Sequence, residues 1–104
     1  MNLQEVIKSC NKYEDSDDEI YLVFARKENN KFKPNSDAQV IKISVEELET
    51  LKLDELAQKY CSGFKYFLEM SIIQDVFDDI SKLEEFKDDL SKIERVIYYA
   101  KYDA

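Results

Sequence analysis

Leu3, Val6, Ile7 and Cys10 recur at steps of three, one and three, the spacing that gathers apolar side chains on one face of a helix. Asn2 stands where an N-cap belongs, so a helix is predicted over about 3–13. Glu14-Asp15-Ser16-Asp17-Asp18-Glu19 follows, five acids in six residues with no apolar member. It is expected to be a solvated, mobile loop whose ordering on a partner would cost entropy. Ile20-Tyr21-Leu22-Val23-Phe24-Ala25 and Ala38 to Ser44 then have the length and the branched, aromatic composition of strands. Between them, Pro34-Asn35-Ser36-Asp37 has turn chemistry, which predicts a β-hairpin with a long, polar, basic tip and Phe32 placed to extend the pairing.

Ser44-Val45-Glu46-Glu47 reads as a capping box opening a short helical turn, and a second short helix is expected over about 54–61. Gly63, the one glycine of the chain, sits where a left-handed residue would close that helix. Residues 64–104 are largely helical by spacing: Phe64, Phe67, Leu68, Ile72 and Val76, with Ile73, Phe77 and Ile80, wrap more than half of a central helix. Ser81-Lys82-Leu83-Glu84 suggests another capping box, followed by an apolar stripe of Leu83, Phe86, Leu90, Ile93, Ile97 and Ala100 on a last helix. Val96-Ile97-Tyr98-Tyr99 has strand composition as well, so helix and strand both stay open there. The expected fold class is α+β: an N-terminal helix, a β-hairpin or small antiparallel sheet, then C-terminal helices packed on it. With 104 residues, no linker and no repeat, one domain over 1–104 is expected.

Composition narrows the chemistry. There is no histidine, which removes Ser-His and Cys-His pairs and histidine metal sites, and one Gly with one Pro excludes glycine-rich phosphate loops. Cys10 and Cys61 form no C-x-x-C pair and are expected to be reduced, Cys10 as a small buried hydrophobe. No apolar run approaches the ~20 residues that cross a bilayer, and Met1-Asn2-Leu3-Gln4-Glu5 does not open a signal peptide. The expected location is cytoplasmic, with no cofactor and binding favoured over catalysis.

Charge sharpens the picture because it is local. The net charge is −8, yet residues 14–19 hold five acids and no base, and residues 75–89 hold seven acids against Lys82 and Lys87. Those two segments carry −10 and the rest of the chain +2. A net negative chain is repelled by nucleic-acid backbones and anionic membranes, so neither is an expected partner. Asp75, Asp78 and Asp79 fall on the polar side of the central helix, and with Glu85, Asp88 and Asp89 they are expected to form one exposed rim. That rim is either a merely solvated surface or a face for a basic protein. Tyr98, Tyr99 and Tyr102 cannot all follow the apolar stripe, and a tyrosine near carboxylates has the composition of a binding hot spot; Tyr99 and Tyr102 join the rim as candidate contacts. An enzymatic alternative uses Asp75, Asp79, Glu84 and Glu85 as oxygen ligands for Mg²⁺ in a nucleotide hydrolase, although their spacing is not diagnostic.

The string Gly63-Phe64-Lys65-Tyr66-Phe67-Leu68-Glu69-Met70 running into Ile72-Ile73-Gln74-Asp75-Val76-Phe77, and the ending Ile97-Tyr98-Tyr99-Ala100-Lys101-Tyr102-Asp103-Ala104, resemble small acidic bacterial α+β proteins. In general character the chain is similar to the immunity proteins of contact-dependent growth inhibition and other polymorphic toxin systems. The resemblance implies a cytoplasmic inhibitor whose activity is tight binding of a cognate toxin, commonly a basic nuclease. An acid-rich DNA mimic, such as a phage-type inhibitor of a nucleic-acid-binding protein, would share this composition.

Overall fold

Asn2 opens the first helix as expected: its side chain accepts from the Glu5 N–H while the Glu5 carboxylate accepts from the Asn2 N–H, each at 3.0 Å. In this computed structural model, which describes residues 1–103, α1 spans Leu3–Lys8 and passes into a 3₁₀ turn at Cys10–Lys12. Ala104, the last residue of the C-terminal string quoted above, lies outside the described residues. Strand β1 (Glu19–Ala25) pairs antiparallel with β2 (Ala38–Ser44) from Glu19↔Ser44 to Ala25↔Ala38. The Ser44 hydroxyl caps α2 (Val45–Thr50) by accepting from the Glu47 N–H. The Glu47 carboxylate does not complete the expected box; it reaches Lys59 and Tyr60 at the end of α3 (Leu53–Tyr60), clasping the two helices together. Gly63 follows with φ +92°, the left-handed conformation expected of it.

The chain next departs from the periodic reading. Lys65–Glu69 is a strand, β3, rather than the first turn of a helix, and it pairs antiparallel with β1 to give the sheet order β2-β1-β3. The pairing passes from Val23↔Leu68 to Phe24↔Tyr66 and leaves Phe67 as an extra residue. Such a bulge puts two consecutive side chains on one face; Phe67 and Leu68 both enter the core formed with α1, while Tyr66 packs on the opposite face. Helix α4 (Met70–Ser81) starts immediately afterwards.

Ser81 does not cap a new helix. It ends α4, and its hydroxyl donates back to the Phe77 carbonyl at 2.7 Å. A seven-residue connection, 82–88, leads to α5 (Asp89–Asp103), where Asp88 Oδ1 accepts from the Ser91 N–H at 2.7 Å and takes the capping role. The expected stripe shifts accordingly: Leu83 and Leu90 are exposed, while Ile93, Val96 and Ala100 are buried. Residues 96–102 are helical.

The result is α+β with helices on both faces of the antiparallel sheet. Leu3, Val6, Ile7, Cys10, Val23, Phe67, Ile73, Ile93 and Val96 fill one face under α1, α4 and α5; Leu22, Phe24, Ile43 and Leu56 fill the other under α2 and α3. Both cysteines are buried free thiols, and burial raises their pKa values, which keeps them protonated. Among the described residues no helix is long and apolar enough to cross a membrane.

Candidate functional site

Asp75, Asp78 and Asp79 lie exposed in the last two turns of α4, toward its carboxyl end. That end of a helix carries partial negative charge, so an acid there is disfavoured by about 0.3–1 kcal/mol. No basic residue in the last turn offsets it. Lys82, just beyond the helix, reaches Asp78 at 3.4 Å across open solvent, where such a pair contributes little. Among the described residues Asp75 and Asp79 have no ion pair.

The second acidic segment meets this helix through Gln74. Its amide nitrogen donates to the Cys10 carbonyl at 2.8 Å and the Tyr13 carbonyl at 2.7 Å, sixty-odd residues away in sequence. Glu14 follows Tyr13 and Asp75 follows Gln74, so the acidic loop springs from beside the acidic flank of α4. The expectation of a mobile loop must also be adjusted, because this segment is tied down. The Asp15 carboxylate accepts from the Tyr21 N–H at 3.0 Å, the Ser16 hydroxyl accepts from the Glu19 N–H at 3.1 Å, and the Asp18 carbonyl accepts from the Val45 N–H at 2.8 Å. Asp17 and Asp18 nevertheless face solvent.

The remaining candidates divide. Glu84 and Glu85 are exposed in the connection between α4 and α5. The Asp88 carboxylate is held below its usual pKa first by the Ser91 backbone N–H and then by the Ser91 hydroxyl, so it serves α5 as a cap. Asp89 approaches Lys8 at 3.9 Å, bringing the start of α5 to the end of α1. The tyrosines are elsewhere. Tyr102 lies thirteen residues along α5 from Asp89, or about 20 Å at the helical rise. It is 60% exposed and stands 4.5 Å from the 53% exposed Tyr98, whereas Tyr99 is half-buried against the core. The acids therefore gather at one end of α5, and Tyr99 and Tyr102 do not join them.

Among the described residues, no three carboxylates or thiols converge closely enough to share a metal ion. The sequence reading also overlooked a groove at the other end of α5. About 740 Å³ in volume, it lies between the β1–β2 loop and α5, with Phe32, Phe67 and Ile97 among its apolar lining. Comparison with protein-family models, curated proteins and solved structures gives no match.

Proposed function

We propose that the chain is a binding protein of the immunity type, which neutralises a basic toxin of the nuclease class through the exposed acids of α4 and the connection after it, Asp75, Asp78, Asp79, Glu84 and Glu85, with the loop carrying Asp17 and Asp18 adding to the field. The observation that carries this reading is the Gln74 tie, which fastens the root of the acidic loop, at Tyr13, to the helix that bears Asp75, Asp78 and Asp79. Asp78 and Asp79 add to it by standing where the dipole of α4 opposes them, so local stability is given up to keep them there. A surface of one sign speeds encounter with an oppositely charged partner by orders of magnitude over the neutral rate of ~10⁵–10⁶ M⁻¹s⁻¹. Speed of that kind suits an inhibitor that must reach an active toxin in the cytoplasm before damage is done.

The decisive experiment pairs the chain with the toxin-like domain encoded next to its own gene. The chain should protect cells expressing that domain and form a stoichiometric complex with it. Asp75→Lys with Asp79→Lys should slow association at ~0.1 M salt and converge on wild type as salt screens the field. A gene standing beside no such toxin, together with no protection against any basic toxin tried, overturns the proposal. Tight binding to a harmless nucleic-acid-binding protein would favour the DNA-mimic reading instead.

A further inference from the structure

The groove between the β1–β2 loop and α5 concentrates positive charge on a chain that is otherwise acidic. Lys27, Lys31, Lys33 and Lys101 line it against a single acid, Glu94, for a local charge of +3 on a molecule of −8. Lys33 shares part of its charge with Glu28 at 3.5 Å; among the described residues Lys27, Lys31 and Lys101 are in no ion pair. Like charges repel when held together, so their clustering opposes folding unless an anion joins them.

The walls are built before any ligand arrives. Asn29 and Asn30 have φ of +53° and +64°, the signature of a tight type I′ turn, and Glu28 and Lys31 exchange both backbone hydrogen bonds at 2.9 and 3.0 Å. Behind that turn Phe32 packs edge-on against the buried Phe67, ring centres 5.0 Å apart, and fixes the loop to the core. Ser36, fully buried, accepts from the Lys33 N–H at 2.8 Å and holds the far side of the loop. Across the groove stand Ile97 and Tyr98 of α5.

We infer that this groove binds a small organic polyanion with an apolar body, of the phosphorylated-nucleoside class. A volume of about 740 Å³ lies within the roughly 300–1,000 Å³ range of small-ligand sites. Lysines bind phosphate oxygens as point charges, and the lining supplies four of them. Several cations call for several negative charges, and the half-buried Phe32 and Ile97 of the lining give an uncharged body a place that bare phosphate cannot use. This site stands apart from the acidic end and does not rest on the toxin-binding reading.

Titration of ¹⁵N-labelled protein with ADP tests it, with pyrophosphate, adenosine and a short single-stranded oligonucleotide as comparisons. ADP should give saturable amide shifts confined to Lys31, Phe32, Ile97, Lys101 and their neighbours, and bind at least about ten-fold more tightly than pyrophosphate or adenosine. Lys31→Glu with Lys101→Glu, both exposed, should weaken ADP by about ten-fold or more, since each replaced lysine removes a charge-assisted contact. Lys12→Glu with Lys87→Glu, which changes net charge equally away from the groove, should weaken it by less than about two-fold. Shifts that never saturate, or equal losses in the two double variants, would overturn the inference. Pyrophosphate binding as tightly as ADP would remove the apolar half of it, and an oligonucleotide bound more tightly than ADP would replace the small ligand by nucleic acid.

Discussion

Replacing Gln74 by glutamate keeps the shape of the side chain and inverts what it offers to the Cys10 and Tyr13 carbonyls. The wild-type amide donates to both, at 2.8 and 2.7 Å in a part-buried setting. An ionised carboxylate donates to neither and turns negative charge toward two carbonyl oxygens. Each carbonyl deprived of its donor costs roughly 1 kcal/mol, and the partly desolvated carboxylate adds about as much again, so a loss of about 3 kcal/mol is expected. With a urea slope of about 1–1.5 kcal/mol/M, the unfolding midpoint should fall by about 2–3 M at unchanged slope. Protonation restores one donor, so the folded protein raises the pKa of the new side chain above its usual ~4.3. The folded state then holds a proton that the unfolded state has lost, and the deficit relative to wild type should be smallest below about pH 4 and deepen as pH rises. Gln74→Leu loses the two bonds without gaining a charge; it should cost about 2 kcal/mol with no new pH dependence. If Gln74→Glu unfolds at the wild-type midpoint at neutral pH, or its deficit is the same at about pH 4 and about pH 7, the carbonyls do not depend on Gln74 and the tie is incidental.

Three other outcomes follow from local chemistry. Asp88→Ala should lower the melting temperature by a few degrees through loss of the α5 cap; because the Asp88 pKa is depressed in the folded state, the wild-type contribution is present above the unfolded value of ~3.9 and lost as pH falls through the folded one, so wild type and variant should converge in acid. Tyr66 is pushed up to about 12, first by burial and then by the charge of Glu69; absorbance at alkaline pH should show the seven tyrosines ionising in more than one step, with Tyr66 in the late one, and stability should fall from about pH 10 upward as the unfolded phenol ionises first. Gly63→Ala meets no atom within 4 Å but must hold φ +92°, so it should cost about 1–2 kcal/mol in chemical denaturation; a neutral result would mean that the α3–β3 turn relaxes freely.

The elements that could be read from the chain are those whose signal is local. Leu3, Val6, Ile7 and Cys10 bury the face their spacing defines, and β1 and β2 fall almost residue for residue where their branched and aromatic runs place them. β3 was illegible for a physical reason: the bulge at Phe67 sends Phe67 and Leu68 to the same face, which erases the two-residue alternation and leaves an apolar run in phase with the helix that follows. No glycine, proline or side-chain cap marks the junction at Glu69. Ser81 misled because a serine hydroxyl can serve the preceding turn as readily as the next one, while the Asp88-x-x-Ser91 spacing of the actual cap was available but lay inside an acidic run. Exposure of the acids was legible from composition; the link from Gln74 to Cys10 and Tyr13, a contact between distant residues, was not. The basic hairpin tip was visible, whereas its pairing with the C-terminal half of α5 into a groove belongs to tertiary packing alone.

The position of β1 in the middle of the sheet also bears on how the chain survives its own synthesis. β2 is complete at Ser44, so the hairpin can close while the next sixty residues, β3, α4 and α5 among them, have yet to emerge. At ~5–20 residues per second that interval lasts several seconds, during which Ile20 to Phe24 present an apolar strand with one edge unpaired, the kind of segment through which nascent chains aggregate. It is bracketed by Glu14 to Glu19 on one side and Arg26 and Lys27 on the other. The acidic loop thus acts as a gatekeeper before the protein exists in its final form: neutralising Asp15, Asp17 and Asp18 together should lower the yield recovered from expression by more than it lowers the equilibrium stability of the molecules that do fold.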